Sequence, residues 1–95
     1  MKYILRLYVS GTGGRSLRAI QALEAMCASH VGIYEMEIVD VLEEPDRAEA
    51  DKIMATPTLI KVLPPPMRKI IGDLSEEPRV LLALDIEVVE TEDKE

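Results

Sequence analysis

The chain has 95 residues, of which 47% are apolar, and a net charge of −7 from eighteen acidic and eleven basic side chains. A chain of this length forms one hydrophobic core, so the composition predicts a single soluble domain. The negative charge repels phosphate backbones and anionic lipid surfaces, which excludes nucleic acid and membranes as partners and favours a protein partner.

The cysteine and histidine content argues against disulfides, metal sites and cofactors. Cys27 is the only cysteine and His30 the only histidine. We therefore expect Cys27 to be a small buried thiol in a reducing compartment, without a metal or thiol relay. The longest apolar run, Val80 to Leu84, has five residues and is too short to span a membrane. These features predict a cytoplasmic protein that is neither exported nor embedded.

The first half of the chain predicts a strand, a helix and a second strand. Residues 2–9 carry apolar side chains on both faces, as in a strand that is covered on both sides. Residues 15–31 place apolar side chains three and four positions apart, which indicates an amphipathic helix that stops at Gly32. Alternation from Tyr34 indicates a second strand that becomes buried towards Leu42. Short links between these elements predict a right-handed parallel unit.

The second half predicts a helix followed by a hairpin. Pro45 and the acidic residue after it are typical of a helix start, and we expect this helix to reach about Met54. Two strand-like runs follow, residues 58–63 and 67–71, with three prolines between them. We expect Met54 and Met67 to fill the core or its margin, and Arg68 and Lys69 to protect a sheet edge as solvated charges.

The C-terminal part predicts a last helix and a tail. Ser75 is expected to cap the helix, which should cover residues 79–85. Residues 86–89 are mostly β-branched and suit either a helix or a strand. We place the domain at residues 1–89 and an acidic disordered tail at 90–95. The complete prediction is one α/β domain with the order β-α-β-α-β-β-α.

This order resembles the thioredoxin-like fold, in which the proline matching Pro57 is usually cis. A more specific resemblance, over residues 2–84, is to the KaiB circadian clock protein family. It is carried by LRLYVSG at 5–11, SLRA at 16–19, DVLEEP at 40–45, DKIMATPTL at 51–59 and KVLPPPMRKIIGDLS at 61–75.

The resemblance implies a non-enzymatic regulator that binds a KaiC-like hexameric ATPase and modulates its phosphorylation cycle. It further implies sequestration of a KaiA-like protein and competition with a KaiB-like sensor kinase domain. The family also adopts a second fold, β-α-β-β-α-α-β, which forms dimers or tetramers. Fold switching would explain why residues 86–89 suit two states and why slow-isomerising prolines separate two strands.

The resemblance also implies which residues bind the partner. Lys52 matches a lysine at the KaiC-binding surface of the family, although by its charge alone it would be an ordinary solvated residue. Asp51, Asp46 and Arg18 are the further candidates for partner binding. The candidates for cis bonds or for the switch are Pro57, Pro64, Pro65 and Pro66.

Three other interpretations stay open on the sequence. The glycine-rich run from Gly11 to Ser16, with Asp40 after the next strand, imitates a dinucleotide fingerprint, but a flexible turn is favoured because Ser16 replaces the third glycine. A glutathione-dependent enzyme would use Ser10 or Thr12 beside Pro57, yet no base or thiolate is available there. A KaiB-like stress-response protein without an ATPase partner would have the same sequence features.

Overall fold

The computed structural model describes residues 2–29 and 33–86, and seven elements lie within them. They are β1 (Tyr3–Val9), α1 (Gly14–Ser29), β2 (Tyr34–Asp40), α2 (Pro45–Ala50), β3 (Thr58–Leu63), β4 (Arg68–Ile71) and α3 (Glu77–Ala83). The predicted order β-α-β-α-β-β-α is confirmed.

The four strands form one mixed sheet in the order β2-β1-β3-β4. The β1 strand pairs in parallel with β2, as the strand-helix-strand pattern predicts, and antiparallel with β3. The hairpin is also confirmed, because β3 and β4 pair antiparallel on either side of the proline run. The edges of the sheet are therefore β2 and β4.

The central strand β1 is covered on both faces. Leu5, Leu7 and Val9 face a core that includes residues of α1 and α3. Tyr8 faces the other side and packs with β2, β3 and residues of the α2 region. The sheet is therefore sandwiched between α1 and α3 on one face and α2 on the other.

The predicted length of α2 is wrong. The helix ends at Ala50 instead of near Met54, because Lys52 adopts a left-handed conformation with φ of 56°. The expectation that Met54 and Met67 fill the core is also wrong, since their side chains are 92% and 53% exposed. Apolar composition alone did not reveal that the chain leaves the helix before Met54.

The predicted cap of α3 is wrong as well. The Ser75 hydroxyl donates to Asp73 Oδ2 at 3.0 Å, and the Ser75 amide donates to Asp73 Oδ1 at 2.9 Å. Asp73 thus holds Ser75 in a local turn. Aspartate favours such turns because its carboxylate can accept a hydrogen bond from the amide two residues later. The helix covers Glu77–Ala83 with Glu76 at its N-cap position, so it begins and ends two residues before the predicted range 79–85.

The proline run forms the connection between β3 and β4. The Thr56–Pro57, Leu63–Pro64 and Pro65–Pro66 bonds are cis, whereas the Pro64–Pro65 bond is not among the cis bonds. Of the ambiguous segment 86–89, only Ile86 is described, and it is 8% exposed. The acidic tail at 90–95 and the predicted helix stop at Gly32 lie outside the described residues.

Candidate partner-binding surface

The start of helix α2 is stabilised by backbone geometry and by an acidic charge, without a side-chain cap. Glu44 occupies the N-cap position without a side-chain cap, Pro45 follows at the first turn, and Asp46 places a carboxylate near the positive end of the helix dipole. None of the six helical residues is buried. Because six residues form no stable helix in isolation, α2 depends on contacts with the sheet beneath it and with the turn that follows it.

The end of α2 has the hydrogen bonds of a Schellman motif. The amide of Lys52 donates to the Glu49 carbonyl at 3.0 Å, and the amide of Ile53 donates to the Ala48 carbonyl at 2.9 Å. Ile53 and Ala48 are also both packed against the smaller core cluster, which supplies the apolar contact typical of this motif.

Lys52 occupies the position of this motif that glycine usually takes. Its φ of 56° lies in the left-handed region, which costs an L-residue about 1–2 kcal/mol. Its side chain is exposed. The chain therefore presents a cation to solvent from a strained backbone position, and such strain is concentrated at functional sites.

A tyrosine of the central strand holds the residue that precedes Lys52. The Tyr8 hydroxyl donates to Asp51 Oδ2 at 2.5 Å and lies 3.1 Å from the backbone oxygen of Arg47. Arg6 Nη1 donates to the same Asp51 oxygen at 3.0 Å. Partial burial opposes ionisation of Asp51, but these two hydrogen bonds outweigh it, so the pKa of the carboxyl lies below its ordinary value.

A second carboxylate links α2 to the edge strand β2. Glu37 contacts Arg47 Nη1 at 2.6 Å through one oxygen and Arg6 Nε at 3.0 Å through the other. The hydrogen bonds from Arg47 and Arg6 lower the pKa of Glu37 to about 2. Arg6 thus joins Glu37 and Asp51 in one network beneath α2.

This network predicts a loss of stability in acid. Because the folded-state pKa of Glu37 is about 2 and its ordinary value is 4.5, its contribution is present above about pH 4.5 and is lost as the pH falls towards 2. Glu37→Gln should therefore show a shallower fall in the urea midpoint between pH 4.5 and 2.5 than the unmodified protein. The side chain is 44% exposed, so solvent screening keeps the effect small.

Glu35→Gln is the matched control for that experiment. Glu35 lies two residues earlier on β2, is exposed, and has no cation within 4 Å among the described residues. It should retain the acid sensitivity of the unmodified protein. Equal acid profiles for Glu37→Gln and the unmodified protein would contradict a role for the Glu37 ion pairs.

Arg18 does not join this surface. It lies on α1, on the opposite face of the sheet, and lines a cavity together with Arg15, Pro57 and Asp73. Asp46, Asp51 and Lys52 do lie together in α2 and its C-terminal turn. The structure therefore brings together three of the four residues predicted to bind a partner and separates the fourth.

Sequence reasoning missed the supporting residues Arg6, Tyr8, Glu37 and Arg47. The only sequence signal was that the second face of β1 carries Arg6 and Tyr8 beside the apolar Ile4. The sequence does not show which helix covers that face or which carboxylate binds Arg6 and Tyr8. Both depend on contacts between residues more than 40 positions apart in the chain.

The glycine-rich turn has a structural role in the contacts that the structure describes. Asp40 Oδ1 accepts hydrogen bonds from the amides of Gly11 at 3.1 Å and Leu42 at 2.9 Å. Gly11 has φ of 68°, which suits glycine. A second cavity beside this turn is lined by Ser10, Gly13, Gly14, Arg15, Ser16, Thr56 and Pro57.

Cys27 is only partly buried, whereas the sequence predicts a buried thiol. Burial raises the pKa of the half-buried Cys27 thiol on α1, which favours the protonated form. No group of three or more metal-ligating side chains occurs within residues 2–29 and 33–86. In the same ranges, no helix combines the length and apolar composition that a membrane crossing requires.

Comparison with known proteins decides the family. The KaiB domain model matches residues 6–86. The chain belongs to the KaiB family. It is 50% identical over 94 residues to the circadian clock oscillator protein KaiB of Gloeothece citriformis, covering 98% of this chain and 89% of that protein. It is 53% identical over 85 residues to KaiB of Prochlorococcus marinus, covering 88% of this chain and 71% of that protein.

Solved structures support the fold of this KaiB-family chain. The N-terminal domain of Synechococcus elongatus SasA matches with a TM-score of 0.72 at 22% identity, covering 86% of this chain and 80% of that domain. Chloroplastic thioredoxin z matches with a TM-score of 0.71 at 18% identity, covering 88% and 79%. At these identities the likeness shows the fold alone, and it confirms the thioredoxin-like prediction.

Proposed function

We propose that this KaiB-family protein is a non-enzymatic clock or timing regulator that binds a KaiC-like hexameric ATPase through the α2 surface. We define the α2 surface as the exposed side chains of residues 45–54. The observation that carries the proposal is Lys52, whose exposed ammonium extends from a left-handed backbone position at the end of α2. Structural stability alone would favour glycine there.

The composition of the α2 surface supports this proposal. Met54 is 92% exposed, so a large apolar side chain lies in water two residues along the chain from the exposed Lys52. Methionine is enriched in protein interfaces, whereas lysine belongs to their rims, where it steers encounter and sets specificity. The helix beneath is braced by the network of Arg6, Glu37 and Asp51, which presents a preformed surface.

The further regulatory roles belong to the same proposal. A sensor kinase domain with the same fold would compete for one surface of the ATPase; the likeness to the SasA domain bears only on the shared fold. Sequestration of a KaiA-like protein, and a switch to the β-α-β-β-α-α-β fold as a dimer or tetramer, complete the proposed cycle. Residues 45–86 are the half that would exchange its elements, and Pro57, Pro64, Pro65 and Pro66 lie within it.

The experiment that tests the proposal is an affinity pull-down from a lysate of the native host, with and without ATP. The retained proteins are identified by mass spectrometry. Nucleotide-dependent recovery of a KaiC-like ATPase by the unmodified protein, and its loss with Lys52→Glu as bait, is the expected result. Absence of the ATPase from the retained fraction, although it is detected in the lysate, would overturn the proposal.

A further inference from the structure

Asp51, whose carbonyl forms the peptide bond to Lys52, is held from two strands. Its carbonyl oxygen accepts a hydrogen bond from Lys69 Nζ of the edge strand β4 at 2.6 Å. The Asp51 carboxylate accepts from the Tyr8 hydroxyl of the central strand β1 at 2.5 Å. The residue immediately before Lys52 is thus held through its backbone oxygen by β4 and through its carboxylate by β1, two strands that lie far apart in the sequence.

These two bonds compensate for a helix end that is weak by itself. The α2 helix has six residues, and Lys52 after it occupies a left-handed conformation that an L-residue leaves readily. The Schellman bonds of Lys52 and Ile53 are local to the same helix end and would be lost together if it frays. Only contacts with other elements can hold this turn independently of the helix.

The two contacts differ in burial, and the difference bears on their roles. Tyr8 is fully buried and packs in the core with Val39 and Ile60. Lys69 is exposed. An exposed lysine contributes little to global stability, so its short bond to the Asp51 carbonyl acts mainly on the local orientation of the turn.

We propose that Lys69 and Tyr8 are positioning residues that hold the Asp51–Lys52 peptide so that the Lys52 ammonium is presented to the partner ATPase. This inference rests on the proposed function and adds the device by which the binding residue is fixed. It assigns to Lys69 a role that differs from the sequence-based expectation of a solvated edge charge. Lys69 would act through Lys52 and make no contact with the partner.

The matched control for Lys69 is its neighbour Arg68. Arg68 is exposed on the same strand, and it pairs with Lys61 where Lys69 pairs with Ile60, so the two side chains point to opposite faces of the sheet. Lys69→Met and Arg68→Met therefore remove one charge each from adjacent positions. Only Lys69→Met removes the bond to the Asp51 carbonyl.

The binding test is a double-mutant cycle with the KaiC-like ATPase recovered from the host, as the ATP-bound hexamer. We expect Lys69→Met to weaken the affinity about 5-fold, as for the loss of one hydrogen bond, and Arg68→Met to change it less than about 2-fold. Lys52→Ala and the double variant Lys52→Ala/Lys69→Met should bind equally, because Lys69 acts only through Lys52. Additive losses would overturn the inference and indicate direct contact between Lys69 and the ATPase.

A second measurement needs no partner. Amide hydrogen exchange of Lys52 and Ile53 should accelerate in Lys69→Met and in Tyr8→Phe, which keeps the buried ring but lacks the hydroxyl. Exchange in α1 should stay unchanged in both variants. Unchanged exchange at Lys52 and Ile53 would overturn the positioning role even without a binding partner.

The two proposals fail in different ways. If Lys52→Ala binds the ATPase as the unmodified protein does, the proposed binding site is wrong, whatever Lys69→Met does. If Lys52→Ala binds weakly while Lys69→Met and Tyr8→Phe bind normally, the proposed function stands and the positioning role is overturned.

Discussion

Leu84→Ala is expected to lower the free energy of unfolding by about 2–5 kcal/mol, the usual range for removing a fully buried leucine. Leu84 follows α3 at its C-cap position and is 0% exposed in the larger core cluster. The helix has only seven residues, so its attachment depends on side chains such as Leu84 and Val80. Urea unfolding monitored by circular dichroism measures the change.

Leu82→Ala is the control for this prediction. Leu82 lies two residues earlier in α3 and is 83% exposed, so its truncation removes almost no buried surface. Its effect should stay within about 0.5 kcal/mol. Equal destabilisation by the two variants would mean that α3 does not pack on the sheet through Leu84.

Lys52→Glu is expected to weaken binding of the KaiC-like ATPase at least about 10-fold, because it replaces an attractive charge by a repulsive one. The circular dichroism spectrum should not change, since the Lys52 side chain is exposed and makes no hydrogen bond among the described residues. Lys52→Gly should also weaken binding. It should nevertheless raise the free energy of unfolding by about 1 kcal/mol, because glycine adopts positive φ without steric cost.

Asp85→Gly provides the matched control for Lys52→Gly. Asp85 has φ of 58° in an equivalent turn after α3, where its amide donates to the Leu82 carbonyl and the amide of Ile86 donates to the Leu81 carbonyl. This variant should be at least as stable as the unmodified protein and should bind normally. Normal binding by Lys52→Gly would remove the Lys52 side chain from the interface.

Elements with strong local patterns were predictable from the sequence. The two-sided apolar pattern of residues 2–9 predicted a strand covered on both sides, and β1 is indeed buried on both faces. The predicted bounds of the third strand, 58–63, agree with β3. The prolines predicted the hairpin, because they interrupt two β-rich runs that could pair.

Elements whose ends depend on distant contacts were not predictable in detail. The sequence extended α2 to Met54 because nothing local marks Lys52 as left-handed, and lysine is an ordinary helix former. Ser75 has the composition of a cap, but Asp73 competes for it through a turn of its own. The position of Arg18 on the far side of the sheet also required the topology.

By itself, the sequence determined the order of elements, the single domain and the family, since these follow from periodicity, length and contiguous motifs. Only the tertiary structure decided how Lys52 is presented. The Asp51–Lys52 turn is fixed by Tyr8 and Lys69, which come from two different strands. The physical reason is that a helix of six residues has too little local stability to determine the conformation of the turn that ends it. Contacts with distant parts of the chain therefore determine that conformation.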